Sequence, residues 1–457
     1  MASNTYDALV IGSGESGKYL SWHLARSGKK VAVIERKLIG GSCPNTNCLP
    51  SKNEIWSAKV ADLTHHAEAF GSITGAVTTD MRMVVARKRK MVDGLIAMHL
   101  DLFKQSGAEL IMGEARFVAP KTVDVKLNDG GSATFTADRV FINVGTHATI
   151  PDIEGLAAAK PMTNIEALEL DYLPRHLIVL GGGYVGLELA QTYSRFGSRV
   201  TVVEAGPQLA GREDSDVAAE IMEALRAEGL AIELNAKVSK VEGRSGVKVV
   251  VTTQNGVIEG TDLLVATGRT PNTSGIGLDL AGVAVDARGY IVVNDRLETT
   301  SAETWAMGES AGTPQFTHAA FDDFRVIRDN LAGGTRSTKD RLIPYCMFTD
   351  PPLGRVGLSE AAANAKGINA RIAKLPIASV LRARTISETR GFMKALIGDD
   401  DRILGFAMVG PEAGEVMAVV QTAMLAGMPF TALRDAILAH PTMAEGLGPL
   451  FTRVPAL

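Results

Sequence analysis

Tyr6-Asp7-Ala8-Leu9-Val10-Ile11-Gly12-Ser13-Gly14-Glu15-Ser16-Gly17 decides the fold. An apolar run leads straight into G-x-G-x-x-G, and the residues after it have the pattern of an amphipathic helix. Gly12 permits a tight turn, Gly14 lets backbone amides approach a pyrophosphate at the helix N-terminus, and Gly17 lets helix and strand pack closely, with Ser13 and Ser16 in the same turn. A second apolar run, Val31-Ala32-Val33-Ile34, ends at Glu35, whose carboxylate suits the hydroxyls of an adenosine ribose. Strand, glycines, helix, strand and acid in this order predict a dinucleotide cradle, where the glycines alone would predict only a turn.

The unit recurs downstream. Leu177-Ile178-Val179-Leu180-Gly181-Gly182-Gly183-Tyr184-Val185-Gly186 leads into a second helical pattern, and Val200-Thr201-Val202-Val203 ends at Glu204. In both copies the acid follows the first glycine by the same interval. The copies also close alike, on Asn143-Val144-Gly145-Thr146 and on Val265-Ala266-Thr267-Gly268-Arg269-Thr270-Pro271. Two dinucleotides are predicted. At the second, Glu204 accepts from a free ribose 2′-hydroxyl and repels a 2′-phosphate, and no arginine immediately follows it, Arg212 lying several residues on; this predicts NADH over NADPH.

Just after the first cradle stands Gly40-Gly41-Ser42-Cys43-Pro44-Asn45-Thr46-Asn47-Cys48-Leu49-Pro50-Ser51-Lys52, which holds two of the three cysteines of the 457-residue chain. A C-x4-C segment that bends or turns helical brings its sulfurs within bonding distance, so a cycling disulfide is expected. Inert buried thiols and half of a zinc site are the alternatives; the second needs further Cys or His at ligand spacing, and none is nearby. Cys346, on a short apolar run, reads as a packed strand residue.

Bulk properties exclude several classes of function. Lys and Arg total 47 against 51 Asp and Glu, for a formal net charge of −4, so nothing favours nucleic acid or a membrane surface as partner. Met1-Ala2-Ser3-Asn4-Thr5 lacks the basic and apolar regions of a signal peptide, and no apolar run reaches the roughly 18–20 residues that cross a bilayer. The few cysteines suit a reducing compartment, and a soluble cytoplasmic enzyme is expected. The alternation of elements divides the chain into residues 1–150, holding the first cradle and a long helix from about Met81 to Gln105; 151–275, the second cradle; 276–340, a return to the first unit through Thr304-Trp305-Ala306-Met307-Gly308-Glu309; and 341–457, strands and helices of a last unit.

With these motifs in order, followed by Phe316-Thr317-His318-Ala319 and His440-Pro441-Thr442-Met443-Ala444-Glu445, the chain resembles the pyridine nucleotide-disulfide oxidoreductases, the flavoproteins that include dihydrolipoamide dehydrogenase, glutathione reductase and mercuric reductase. The resemblance implies an α/β fold with two Rossmann-like domains, one for FAD and one for a nicotinamide nucleotide, and a C-terminal α+β dimerisation domain that completes the active site of the partner in a homodimer. It implies Cys48 as the sulfur beside the flavin, Cys43 as the outer thiol that meets substrate, His440 as the base oriented by Glu445, and Lys52 with Glu188 as an ion pair near flavin N5. It places Gly41, Ser42, Ala115, Gly145, Glu309, His318 and Ala319 along the flavin, with the helix near Ala319 aimed at its pyrimidine end, and Tyr184 where glutathione reductases cover an empty nicotinamide site.

Departures from the family pattern bear on the substrate. Asn47 replaces the usual glycine before the second cysteine, and asparagine tolerates a left-handed backbone if the loop needs one. Glu309 replaces an aspartate at the ribityl chain. Lys18, Trp22 and His23 replace the small residues and arginine that glutathione reductases use for substrate, which argues against glutathione. The C-terminal Arg453-Val454-Pro455-Ala456-Leu457 has no cysteine pair, so mercury hand-off of the mercuric reductase kind is incomplete, although Gln315-Phe316-Thr317-His318 and Glu388-Thr389-Arg390-Gly391-Phe392-Met393-Lys394 resemble mercuric-reductase-like proteins. The expected activity is NAD(P)H-dependent dithiol/disulfide exchange of the dihydrolipoamide kind on a small-molecule disulfide. An NAD(P)H-dependent reductase of a soft metal ion and a redox-responsive subunit of a larger complex are the alternatives.

Overall fold

The computed structural model describes residues 4–457. Strands β1 (Thr5–Ile11) and β2 (Val31–Glu35) run parallel, Ala8 opposite Val31 and Ile11 opposite Ile34. Every position of β2 is buried, as befits a strand covered on both faces. Helix α1 (Glu15–Arg26) connects them, and α2 (Ser42–Asn45), α3 (Cys48–His65) and α4 (Met81–Ser106) follow. The long helix starts as the sequence predicts and stops where it should: the Asp80 side chain accepts from the amides of Arg82 and Met83, and left-handed Gly107 ends it. Strands β3 (Glu109–Ala119) and β5 (Ser132–Ile142) are long enough to serve twice. Their inner halves extend the parallel sheet beside β2 and β1, and their outer halves flank β4 (Thr122–Leu127) in an antiparallel layer.

The next unit begins with β6 (Thr146–Ala148) and the short, box-capped α5 (Asn164–Ala167). Its parallel sheet is built from β7 (His176–Leu180), helix α6 (Tyr184–Phe196), β8 (Arg199–Val203), helix α7 (Ser215–Ala227) and β9 (Ala231–Glu233). An antiparallel meander of β10 (Val238–Arg244), β11 (Lys248–Thr253) and β12 (Gly256–Gly260) precedes β13 (Asp262–Val265), which pairs with β7, and β14 (Arg269–Pro271), which pairs with β6. The chain then returns to the first sheet: β15 (Thr304–Ala306) lies parallel to β5, and α8 (Thr317–Leu331) packs on α1.

The last unit is an antiparallel sheet in the order β16 (Tyr345–Met347), β17 (Leu353–Gly357), β20 (Ile403–Val409), β19 (Phe392–Ile397), β18 (Arg371–Pro376). The helix Ala413–Leu425 packs against β17 and β20. A chain of charges ties this sheet to the redox helix. Asp350 takes Lys59 of α3 and Arg195 of α6, each at 2.7 Å, while Lys59 also reaches Glu388 at 2.7 Å. Ion pairs this sheltered are costly to break singly, so α3 and the cysteine at its start hold a fixed place against the other units.

Candidate active site

The sequence places the two cysteines on consecutive helices. Cys43 lies in the single turn of α2, entered through Gly41 at φ +83°, where a Cβ would come within 2.6 Å of the Gly14 Cα; only glycine lets the redox segment lie this close to the first cradle. Cys48 opens α3. Both are free cysteines rather than a disulfide, and each thiol shifts the ionisation of the other. Asn47 does not use the left-handed backbone that it tolerates: its φ is −127°. Its Oδ1 instead accepts from Thr46 Oγ1 at 3.1 Å and Asn164 Nδ2 at 3.0 Å, and these bonds fix the loop without an unusual backbone.

The two sulfurs are electrically unequal. The bond from Cys43, aided by the Thr317 hydroxyl and the Lys52 charge and opposed by burial, pulls Cys48 down to about 6. The same bond, with burial, pushes Cys43 well above the ordinary thiol range. At neutral pH Cys48 is the thiolate and Cys43 holds the proton, so Cys43 needs a base before it can attack. Lys52, one turn into α3, bonds Glu188 of α6 at 2.7 Å. Glu188 is itself set by the Phe348 amide at 2.8 Å, and the Lys52 ammonium lies 4.7 Å from the centre of the Phe348 ring.

The first cradle fits a flavin dinucleotide. Gly14 at the start of α1 has no side chain to cap it, and Asn143 Oδ1 takes the Gly17 amide at 3.1 Å, so the amides of Glu15 and Ser16 are the ones that would meet a pyrophosphate. At Gly12, φ +97°, a Cβ would stand 2.2 Å from the Asn143 carbonyl, and at Gly17 one would stand 2.5 Å from the Gly12 carbonyl. Glu35 Oε2 accepts from the Ser13 amide at 2.9 Å and the Ser13 hydroxyl at 2.8 Å, and Oε1 accepts from the amides of Lys37 and Leu38 at 2.8 and 2.9 Å. Of these donors only the Ser13 hydroxyl can rotate away, so it is the one a ribose hydroxyl would replace. Ser16 Oγ donates to the Ala320 carbonyl at 2.6 Å, Ser42 begins α2, and Ala115 is buried in β3 opposite Val125.

Three of the residues expected along the flavin are bonded to neighbours within the chain. Glu309 bonds Thr146 Oγ1 and lies 3.4 Å from Arg269 Nε, so its longer side chain reaches the segment after Gly145 and the strand after Gly268. The helix expected near Ala319 starts at Thr317, and the buried Ala319 amide is already bonded to the Phe316 carbonyl at 3.1 Å. His318 turns outward: its Nε2 donates to the Pro344 carbonyl at 2.7 Å. Lys18 and Trp22 are each only 4% exposed, Lys18 lying between Glu15 at 2.8 Å and His99 at 2.9 Å. Lys18 and Trp22 are thus core here, whereas His23 is exposed.

At the second cradle Gly183 precedes α6, again without a side-chain cap, and Gly181 and Gly186 pack closely, a Cβ at Gly186 meeting the Gly181 carbonyl at 2.1 Å. Glu204 accepts one amide on each oxygen, from Gly182 and Gly206 at 2.7 Å, and keeps lone pairs for ribose hydroxyls. Tyr184 begins α6 with its hydroxyl bonded to Glu213.

His440 and Glu445 meet at 2.8 Å through Nδ1 and Oε2. A carboxylate only accepts, so Nδ1 carries a proton, and in the neutral ring Nε2 presents a lone pair. The His440 side chain is 65% exposed, facing outward from its own subunit. Thr317, Asn143 and Glu213 were not assigned from sequence. Asn143 stands in the closing motif of the first copy, and it accepts from the Gly17 amide at 3.1 Å and donates to the Met307 carbonyl at 2.9 Å; Thr317 stands within the Phe316–Ala319 motif without a role of its own, and Glu213 carries no local signal.

Residues 6–323 match the family Pyridine nucleotide-disulphide oxidoreductase, and residues 343–450 match its dimerisation domain. The probable pyridine nucleotide-disulfide oxidoreductase RclA of Escherichia coli is 37% identical over 458 residues, 99% of this chain and 100% of that protein. The mercuric reductase of Lysinibacillus sphaericus is 34% identical over 451 residues, 97% of this chain and 82% of that protein. The solved Cu(II) complex of the HOCl-induced flavoprotein disulfide reductase RclA from Escherichia coli superposes with a TM-score of 0.90 at 35% identity, covering 99% of each chain. Among the described residues no helix is long and apolar enough to cross a membrane. The chain therefore belongs to the pyridine nucleotide-disulfide oxidoreductases, as an enzyme that uses FAD, a pyridine nucleotide and a redox-active cysteine pair and carries the family's dimerisation domain.

Proposed function

We propose that this enzyme is a cytoplasmic, NADH-preferring homodimer that reduces a small-molecule disulfide by dithiol exchange through Cys43 and Cys48. The observation that carries the reading is the retained His440–Glu445 pair at 2.8 Å, because the proton of the dithiol sits on Cys43 and exchange requires a base to take it. Bound FAD would supply two-electron transfer between the nucleotide and the cysteines. The protein's own part is then to hold Cys48 as thiolate, to keep Lys52 beside the redox helix, and to lend His440 to Cys43 of the other subunit. That His440 faces outward, and that Trp56, Val60 and Leu63 form an exposed apolar stripe on α3, support a second copy at this face.

Reduction of a soft metal ion is the second reading. Mercuric reductase relatives and the Cu(II)-bound RclA structure favour it, and a thiolate–thiol pair is a soft donor set. An anaerobic panel of lipoamide, other disulfides and soft metal ions, run with both nicotinamides on wild-type and His440→Ala enzyme, separates the two. Disulfide turnover lost with His440 supports exchange. Metal-dependent NADH oxidation that survives the substitution, without disulfide turnover, supports the second reading, and no turnover with either class overturns both.

A further inference from the structure

Glu213, just before α7, is a carboxylate bonded by three side chains from distant parts of the chain. Its side chain is fully shielded from solvent. Tyr184 donates to Oε1, Tyr345 donates to the same oxygen at 2.8 Å, and Arg355 donates to Oε2 at 2.9 Å. Arg355 continues to Asp214 at 3.2 Å, which lies 3.0 Å from the buried Lys394. Burial, together with the Glu213 charge, pushes both phenols up, so each stays a donor across the working pH range. The carboxylate belongs to the second cradle, whereas Tyr345, Arg355 and Lys394 belong to the last sheet.

Tyr345 is the meeting point. Its ring stacks on Phe316 at 5.4 Å and 4°, and lies 5.8 Å from the Tyr184 ring at 33°. Phe316 precedes α8, so three units of the fold touch one aromatic column. Tyr184 is one helical turn from Glu188 on the same face of α6 and hence on the side of the Lys52–Glu188 pair. Tyr184, the first residue of α6, thus lies between the glycine turn of the second cradle and the Lys52–Glu188 pair.

We propose that Glu213 is a positioning residue that latches Tyr184 closed, so that nicotinamide enters only when the Tyr184–Glu213 bond breaks, and that Tyr345 and Arg355 seat the latch in the dimerisation sheet. This rests on the reading of the second cradle as the nicotinamide nucleotide site. The latch lowers affinity for the nicotinamide end alone, because the adenosine end binds at Glu204 and the helix terminus, away from the phenol. A hydrogen bond that must break on entry weakens binding by roughly three- to tenfold.

The test is equilibrium binding of NADH and of ADP-ribose, which lacks nicotinamide, to the flavin-loaded dimer. Tyr184→Phe and Glu213→Gln should each tighten NADH by roughly three- to tenfold and leave ADP-ribose unchanged. If Glu213→Gln fails to fold because Arg355 loses its partner charge, Tyr184→Phe carries the test alone, since its ring still packs on Tyr345. ADP-ribose binding that shifts in parallel with NADH, or NADH binding that does not change, overturns the latch. Failure of wild-type enzyme to bind ADP-ribose overturns the nucleotide reading and the latch with it.

Discussion

Cys48 Sγ lies 3.2 Å from Thr317 Oγ1, across 269 positions of sequence. The starts of α3 and α8 thus converge on one sulfur, and each helix start favours negative charge there. With Cys48 ionising at about 6, the two-electron-reduced enzyme should show a long-wavelength thiolate-to-flavin band at pH 7.5 that fades as pH falls through 6. Thr317→Val removes a donor to the thiolate and should move the midpoint of that fading upward, a hydrogen bond of about 1.4 kcal/mol corresponding to about one pH unit. Cys48→Ser should abolish the band. A band that persists in Cys48→Ser, or a midpoint that Thr317→Val leaves in place, would remove Cys48 from this role.

The Glu204 carboxylate takes one amide on each oxygen and keeps lone pairs, and on the proposed reading these meet the ribose 2′-hydroxyl of NADH. We expect kcat/KM for NADH to exceed that for NADPH by at least about tenfold, the effect of setting a carboxylate against a 2′-phosphate. Glu204→Ala should narrow the ratio from both sides, losing ribose contacts for NADH and repulsion for NADPH. Steady-state kinetics with both nucleotides decides it, and a wild-type preference for NADPH would contradict the assignment.

The two cradles were legible because their information is local: glycine spacing, an apolar run and an acid at a fixed interval describe one βαβ unit within some two dozen residues. His440 and Glu445 were legible for the same reason. What the sequence hid is set by contacts between distant segments. Nothing near Thr317 announces that it faces Cys48, and nothing near Glu213 announces two phenols and an arginine from other parts of the chain. Asn47 shows the converse, since a residue chosen for its tolerance of left-handed backbone adopts φ −127° because side-chain bonds to Thr46 and Asn164 hold the loop.

Glu54, on the redox helix, is buried against Lys88 at 2.9 Å, and its Oε2 has no partner among the described residues. Burial outweighs the lysine and pushes the carboxyl up to about 7 from its ordinary 4.5. The folded state therefore holds this proton more tightly than the unfolded chain does. The stabilisation is complete below pH 4.5 and lost as pH rises to 7, by at most about 3 kcal/mol. Glu54→Gln keeps the shape and removes the titration, so its stability relative to wild type should improve between pH 5 and pH 8. Urea midpoints at the two values, at fixed protein concentration, test this; a constant difference means that Glu54 stays charged in the folded enzyme.

His440→Ala should cut disulfide exchange by roughly two to four orders of magnitude, the usual effect of losing a positioned general base, while flavin reduction by NADH stays nearly unchanged. The reason is spatial. The cradles, Cys48 and the Lys52–Glu188 pair are assembled within one subunit, whereas His440 faces outward with its Nε2 lone pair free. On the proposed reading its target is Cys43 of the other copy, the thiol whose ionisation burial and the Cys48 sulfur oppose. Glu445→Gln should slow exchange less than His440→Ala, because it leaves the base and loosens only its orientation. Mixing Cys43→Ser and His440→Ala chains should restore one working site per heterodimer, the intact Cys43 of one chain meeting the intact His440 of the other. Inactive parents that stay inactive after verified subunit exchange would show that His440 does not serve the partner's Cys43.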